Sequence, residues 1–115
     1  MAFTTAGTAT VAKRGTQQYQ GLWSDYFVVK VTGSDPANVA AGAEDTQTYT
    51  VTGLALGDMI LGWSYTLDLT VDGDIEIYVS AANTLTIRIS NLNGASGLNY
   101  GSTGTWYVLV GRPNW

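Results

Sequence analysis

Carboxylates are the side chains in this sequence best equipped for chemistry. Asp68, Asp72, Asp74 and Glu76 form its one dense acidic group. Asp72-Gly73-Asp74 could open a calcium loop, but the liganding spacing of an EF-hand does not follow it. The simpler reading is a set of solvent-facing hairpin acids that also discourage pairing at a sheet edge. A glycosidase needs two carboxylates held at a fixed separation across a cleft. Asp25, Asp58 and Glu76 can be nominated, yet nothing in their spacing selects a pair. The chain has no histidine and no cysteine. The commonest general base near neutral pH and the commonest metal ligand are therefore missing, along with any thiolate site, cysteine nucleophile or disulfide framework. Ser, Lys and Tyr remain as nucleophiles or bases, without a recognised constellation around them. No catalytic residue, metal ligand or cofactor is assigned, and the chain is expected not to be an enzyme.

Aromatic side chains are the second resource: 4 Trp and 7 Tyr in 115 residues. Exposed aromatics either stack on sugars or anchor protein interfaces, where Trp and Tyr concentrate binding energy. Tyr49 and Trp106 sit in alternating strand patterns and read as core. Trp23 stands at a strand entry and Trp115 closes the sequence. With Tyr19 and Leu22 they make up the candidate interface. Arg88, on the polar side of a strand, reads as a cross-strand partner for Glu76, worth under about 1 kcal/mol if exposed.

Strands must hold these groups. Across Asp74–Asn91, Ile75, Ile77 and Val79 alternate with polar neighbours, and after a break Leu85, Ile87 and Ile89 do the same. Period-2 alternation places each set on one face. The break, Ala81-Ala82-Asn83, has hairpin length, and Asn83 tolerates a left-handed backbone. Two such strands are unstable alone and need a second layer on their apolar face. Leu22–Thr32 is aromatic and β-branched, with Phe27, Val29 and Val31 on one face and Tyr26, Val28 and Lys30 on the other, which predicts partial cover on both. Further strands are expected at Thr48–Thr52, with Tyr49 and Val51 inward, at Met59–Tyr65, at Thr66–Val71 and at Thr105–Val110. Gly62 predicts a bulge or a close backbone approach, and Asp72-Gly73 a hairpin turn. Gly33–Gln47 reads as a loop with Glu44-Asp45 at a solvated tip, and residues 92–104 as a second loop rich in Gly and Asn. Thr8–Val11 is a possible short strand inside an N-terminal arm, residues 1–21, either loosely attached or docked on a neighbouring subunit. Residues 22–115 then form a single all-β domain, a sandwich or barrel.

Bulk properties narrow the partners. A chain of 115 residues suits one domain. Charged residues are 12%, the formal net charge is −4, and the 5 Lys and Arg are scattered, which argues against a phosphate-backbone partner. A surface rich in Thr, Ser, Asn, Gln and Gly suits an extracellular or virion setting. The first residues lack the basic and apolar regions of a signal peptide, so the chain reads as starting at its own methionine. No apolar run approaches the roughly 18 residues of a membrane span, so neither nucleic acid nor membrane is expected as a partner.

With strands placed, the order of motifs gains meaning. Gly53-Leu54-Ala55-Leu56-Gly57-Asp58 enters a strand. Val79-Ser80-Ala81-Ala82-Asn83-Thr84 turns into Leu85-Thr86-Ile87-Arg88-Ile89-Ser90-Asn91. A Gly/Asn loop leads to Gly104-Thr105-Trp106-Tyr107-Val108-Leu109-Val110-Gly111-Arg112. Over roughly residues 48–112 this pattern resembles small virion proteins of tailed bacteriophages, of the cyanophage and marine-phage type, and is similar to their jelly-roll cement (head-decoration) proteins. The resemblance implies a jelly-roll β-sandwich of about eight antiparallel strands, a homotrimer, and attachment to the major capsid protein between capsomers on the outer capsid surface of the virion. It supplies no catalytic residue. The alternative is a carbohydrate- or receptor-binding module of a phage fibre, motivated by aromatic richness on a β-scaffold with long loops.

Overall fold

The hairpin predicted at Asp74–Asn91 is present. In the computed structural model, which describes residues 3–14, 22–36, 39–66, 73–97 and 103–115, β5 (Gly73–Ala81) and β6 (Thr84–Asn91) pair antiparallel across a two-residue turn. Asn83 takes φ 59°, the left-handed value that Asn accepts at low cost. Its side chain also binds the next turn: Asn83 Oδ1 accepts the Gly53 N–H at 2.9 Å, and the Asn83 N–H donates to Leu54 O at 2.8 Å.

Five more strands complete the described fold: β1 (Thr8–Arg14), β2 (Trp23–Ser34), β3 (Glu44–Thr50), β4 (Met59–Tyr65) and β7 (Gly104–Pro113). They form two antiparallel sheets, β1-β2-β7-β4 and β3-β6-β5. The protein is thus an all-β sandwich. Pair β2:β7 in one sheet is nested along the chain outside pair β3:β6 in the other, so the chain crosses repeatedly between the layers. There are seven strands among the described residues rather than about eight. The strand expected at Thr66–Val71 falls largely on residues 67–72, outside the described residues, as does Asp72 of the expected turn.

The core follows the registers. Phe27, Val110 and Ile60 form one inward row of the first sheet. Val29 and Val108 form the next, with the exposed Trp63 of β4 beside Val108 and against the Trp106 ring, and Val31, Trp106 and Tyr65 form the third. They meet Leu85, Ile87, Ile89 and Tyr49 of the second sheet. Trp106 and Tyr49 are core residues, as expected. Trp106 stacks on Tyr65 with centroids 4.2 Å apart and donates from Nε1 to Ser34 Oγ at 3.2 Å. Tyr49 donates to Ala6 O at 2.8 Å. Burial pushes its hydroxyl up to about 12, so it remains a donor throughout the physiological range. Gly62 sits at a register shift in β4, the bulge its position predicted.

Three expectations change. The described part of the arm is a working part of this sandwich: β1 pairs with β2 of its own chain, and Phe3 joins the core. The Gly7 conformation makes that approach possible, since at φ 81° a Cβ would lie 2.4 Å from Thr32 O. Glu44-Asp45 is no loop tip. Both belong to β3, and Asp45, opposite Ile89, is only 1% exposed, because period 2 carries it to the same inward face as Tyr49. Finally, β3 runs from 44 to 50 rather than 48 to 52, although Val51 is buried as expected.

Candidate functional site

The outer faces of the two sheets are built from the same registers. On the first sheet the outward rows are Tyr26–Gly111–Met59, Val28–Leu109–Gly62 and Lys30–Tyr107–Ser64. The middle of this face is apolar. Met59, Leu61, Tyr107 and Leu109 are exposed, and Val28, Gly62, Trp63, Ser64, Tyr107 and Leu109 line an open depression of about 300 Å³. Lys30 lies over the Tyr107 ring, 5.8 Å from its centroid. Apolar residues on both sides of β2 predicted cover on both. Its inner side packs into the core, while on its outer side Val28 and Lys30 lie beside Leu109 and Tyr107 of β7.

This face runs on into the predicted interface. Gly111 leaves a gap on β7 that the Trp23 ring fills: a Cβ there would come within 2.8 Å of the ring and 2.9 Å of Leu61. Trp115 packs on Trp23 with centroids 5.6 Å apart at 54°. Leu22 O accepts the Asn114 N–H at 3.0 Å. The chain therefore brings Leu22, Trp23 and Trp115 together at one end of the sheet. Trp115 is 77% exposed and Leu22 48%. Tyr19, the fourth predicted member, lies outside the described residues.

The acids nominated for chemistry are each engaged by an arginine. Arg14 Nη1 contacts Asp25 Oδ2, Arg88 Nη2 contacts Glu76 Oε2 at 2.9 Å, and Arg112 holds Asp58 with Nε and Nη2, both at 2.8 Å. Glu76 and Arg88 are directly opposite in β5 and β6, the cross-strand pair predicted. Burial alone would push the Asp58 carboxyl up. Hydrogen bonds from Arg112 and the Ala55 N–H, with the Arg112 charge, hold it below the usual carboxylate value. Such a group is an anchor for a turn and ill suited to donate a proton near neutrality. Asp74 is exposed on β5, while Asp68 and Asp72 lie outside the described residues. Among the described residues no three His, Cys, Asp or Glu side chains gather as a metal-holding group.

Several polar residues matter more than their sequence context indicated. Buried Asn91 donates from Nδ2 to Val39 O at 3.1 Å and to Ser96 O at 2.8 Å, and its Oδ1 accepts the Asn93 N–H. It ties the two long loops together. Asn93, which follows two residues later, caps the next turn through Oδ1 to the N–H groups of Ala95 and Ser96. The Asn-rich composition of 91–93 is the signal that marked them. No protein-family model, curated protein or solved structure matches this chain.

Proposed function

We propose that this chain is a non-catalytic structural protein of a phage virion: a homotrimeric cement protein that binds the major capsid protein at capsomer junctions on the outer surface of the head. The observation that carries the reading is the apolar outer face of the first sheet, continuous with Leu22, Trp23 and Trp115. Monomeric proteins rarely leave a contiguous apolar surface of this kind uncovered. The motif order over residues 48–112 supports the phage assignment. The mechanism is buried area. A closed ring of three copies requires each subunit to offer two different patches, and in this reading the two ends of the continuous apolar surface, around Leu109 and around Trp115, serve as them. Three weak attachments per ring then act together, which raises the avidity far above that of one contact.

A carbohydrate- or receptor-binding module is the second reading, favoured by one observation. Trp115, Arg112 and Asp58 line an open depression of about 230 Å³, combining an aromatic wall with planar polar groups. The continuity of this end with the exposed aliphatic residues Leu61, Met59 and Leu109 of the sheet face favours a protein partner instead.

The test is cosedimentation with phage heads that lack a decoration protein. The expected result is saturable binding that raises the temperature at which the heads come apart. Absence of binding, together with a positive glycan array, would replace the first reading by the second.

A further inference from the structure

Asp58 and Arg112 lie beside the tryptophan pair, and their geometry gives them a task there. Asp58 closes the turn before β4: its Oδ2 accepts the Ala55 N–H at 3.0 Å, and its own N–H donates to Ala55 O at 3.0 Å. Arg112, at the end of β7, grips both Asp58 oxygens and also donates to Gly53 O. Its planar fork fixes direction as well as distance. From Arg112 the chain passes through Pro113, whose φ is set by its ring. It then reaches Asn114, tied to Leu22 O, and Trp115, packed on Trp23. Leu56, Asp58, Arg112, Pro113 and Trp115 share the wall of one depression. The path that delivers Trp115 to Trp23 is therefore clamped at its start by Asp58 and near its end by Leu22.

We infer that the Asp58–Arg112 pair positions the Trp23–Trp115 pair, so that the turn between β3 and β4 sets the shape of the apolar end of the molecule. That this end binds a partner rests on the proposed function; that Asp58 positions it does not. The other charged groups facing the pair are Asp25 on β2, whose charge acts on Arg112, and Arg14 on β1, whose Nη2 would lie 3.7 Å from a Cβ on Gly53. Neither supplies the two-point grip of Asp58.

The test is ¹⁹F NMR of protein carrying fluorotryptophan, with signals assigned by Trp→Phe variants. Asp58→Asn is expected to move the Trp23 and Trp115 signals and leave Trp106 in place. Acidification is expected to move the same two signals further in the unaltered protein than in Asp58→Asn, where only the carboxylate of Trp115 and Asp25 remain to titrate near them. Stationary Trp23 and Trp115 signals in Asp58→Asn would overturn the inference. If Trp106 shows that this variant is unfolded, Arg112→Lys replaces it, because it keeps the charge and loses the fork, and the same two signals decide. Head binding by the same variants separates the claims. Moved signals with unchanged binding leave the positioning role standing and remove the end from the interface; unmoved signals with lost binding do the reverse.

Discussion

The two sheets present the same kind of face to the core and opposite kinds to the outside. On the second sheet the outward rows read Glu44–Ser90–Asp74, Thr46–Arg88–Glu76 and Thr48–Thr86–Tyr78. Hydroxyls and charges dominate, and several of them pair with one another. Ser80 and Thr86 hydroxyls lie 2.6 Å apart, and Arg88 donates to the Tyr78 hydroxyl and covers its ring. This is the ordinary solvated side of an antiparallel sheet. On the first sheet Leu61, Leu109, Tyr107 and Met59 occupy the equivalent outward positions. They lie outside the core, which the inward rows supply. The contrast separates the face that builds the core from an apolar outer face, on which the proposed binding rests.

The largest expected effect comes from placing one charge on each outer face. Leu109→Lys, in the middle of the apolar face, should weaken head binding by about 2 kcal/mol or more, roughly 30-fold. Thr48→Lys, on the polar face, should leave it within about 3-fold. Titration of heads with each variant gives the comparison directly, and equal losses would erase the distinction between the faces.

Next in size is the pair of buried carboxylates, which burial and partners treat oppositely. Asp58 is held below its ordinary value, so its contribution is fully present above the unfolded value near 3.9 and is lost as pH falls through the folded one. The Asp58 side chain is 2% exposed and that of Arg112 34%. Allowing for that solvent contact, Asp58→Asn should lower unfolding stability by about 1.5–3 kcal/mol at pH 7, with a deficit that shrinks in acid. Burial raises Asp45 instead, so its ionised form opposes folding at neutral pH, and that cost is relieved as pH falls through the raised value. Asp45→Asn should therefore make acid unfolding of the chain steeper. Urea denaturation at a series of pH values resolves both signs.

The smallest effect belongs to the polar face. Arg88→Ala removes an exposed cross-strand pair with Glu76 and should cost under about 1 kcal/mol in the same denaturation experiment, less at high salt. A larger loss would mean that the polar face does more for stability than its exposure indicates.

Much of this contrast was legible in the residues. Leu85, Ile87 and Ile89 alternate with Thr86, Arg88 and Ser90, which announces one buried and one wet face. Phe27, Val29 and Val31 alternating with Tyr26, Val28 and Lys30 announces a strand that is apolar on both sides. Trp23 and Trp115 stand out in the sequence by residue type and position, and folding brings them together. What stayed hidden depends on pairing between distant segments. The Gly111 gap has meaning only once β2 lies beside β7 and Trp23 reaches across it. Asp45 looked like a loop acid because its inward direction is set by β6, far along the chain. The Asn-rich stretch at 91–93 signals a turn but not its partners, and Ser34 carries no pattern of its own; their roles come from the carbonyl groups and the indole that folding places beside them.

Sedimentation equilibrium of the unaltered chain, run beside Leu109→Lys over a wide concentration range, tests most directly whether the apolar face joins copies. Three copies of the 12.2 kDa chain should sediment together, and the variant should sediment as one. A single copy for the unaltered chain at every concentration would contradict the account.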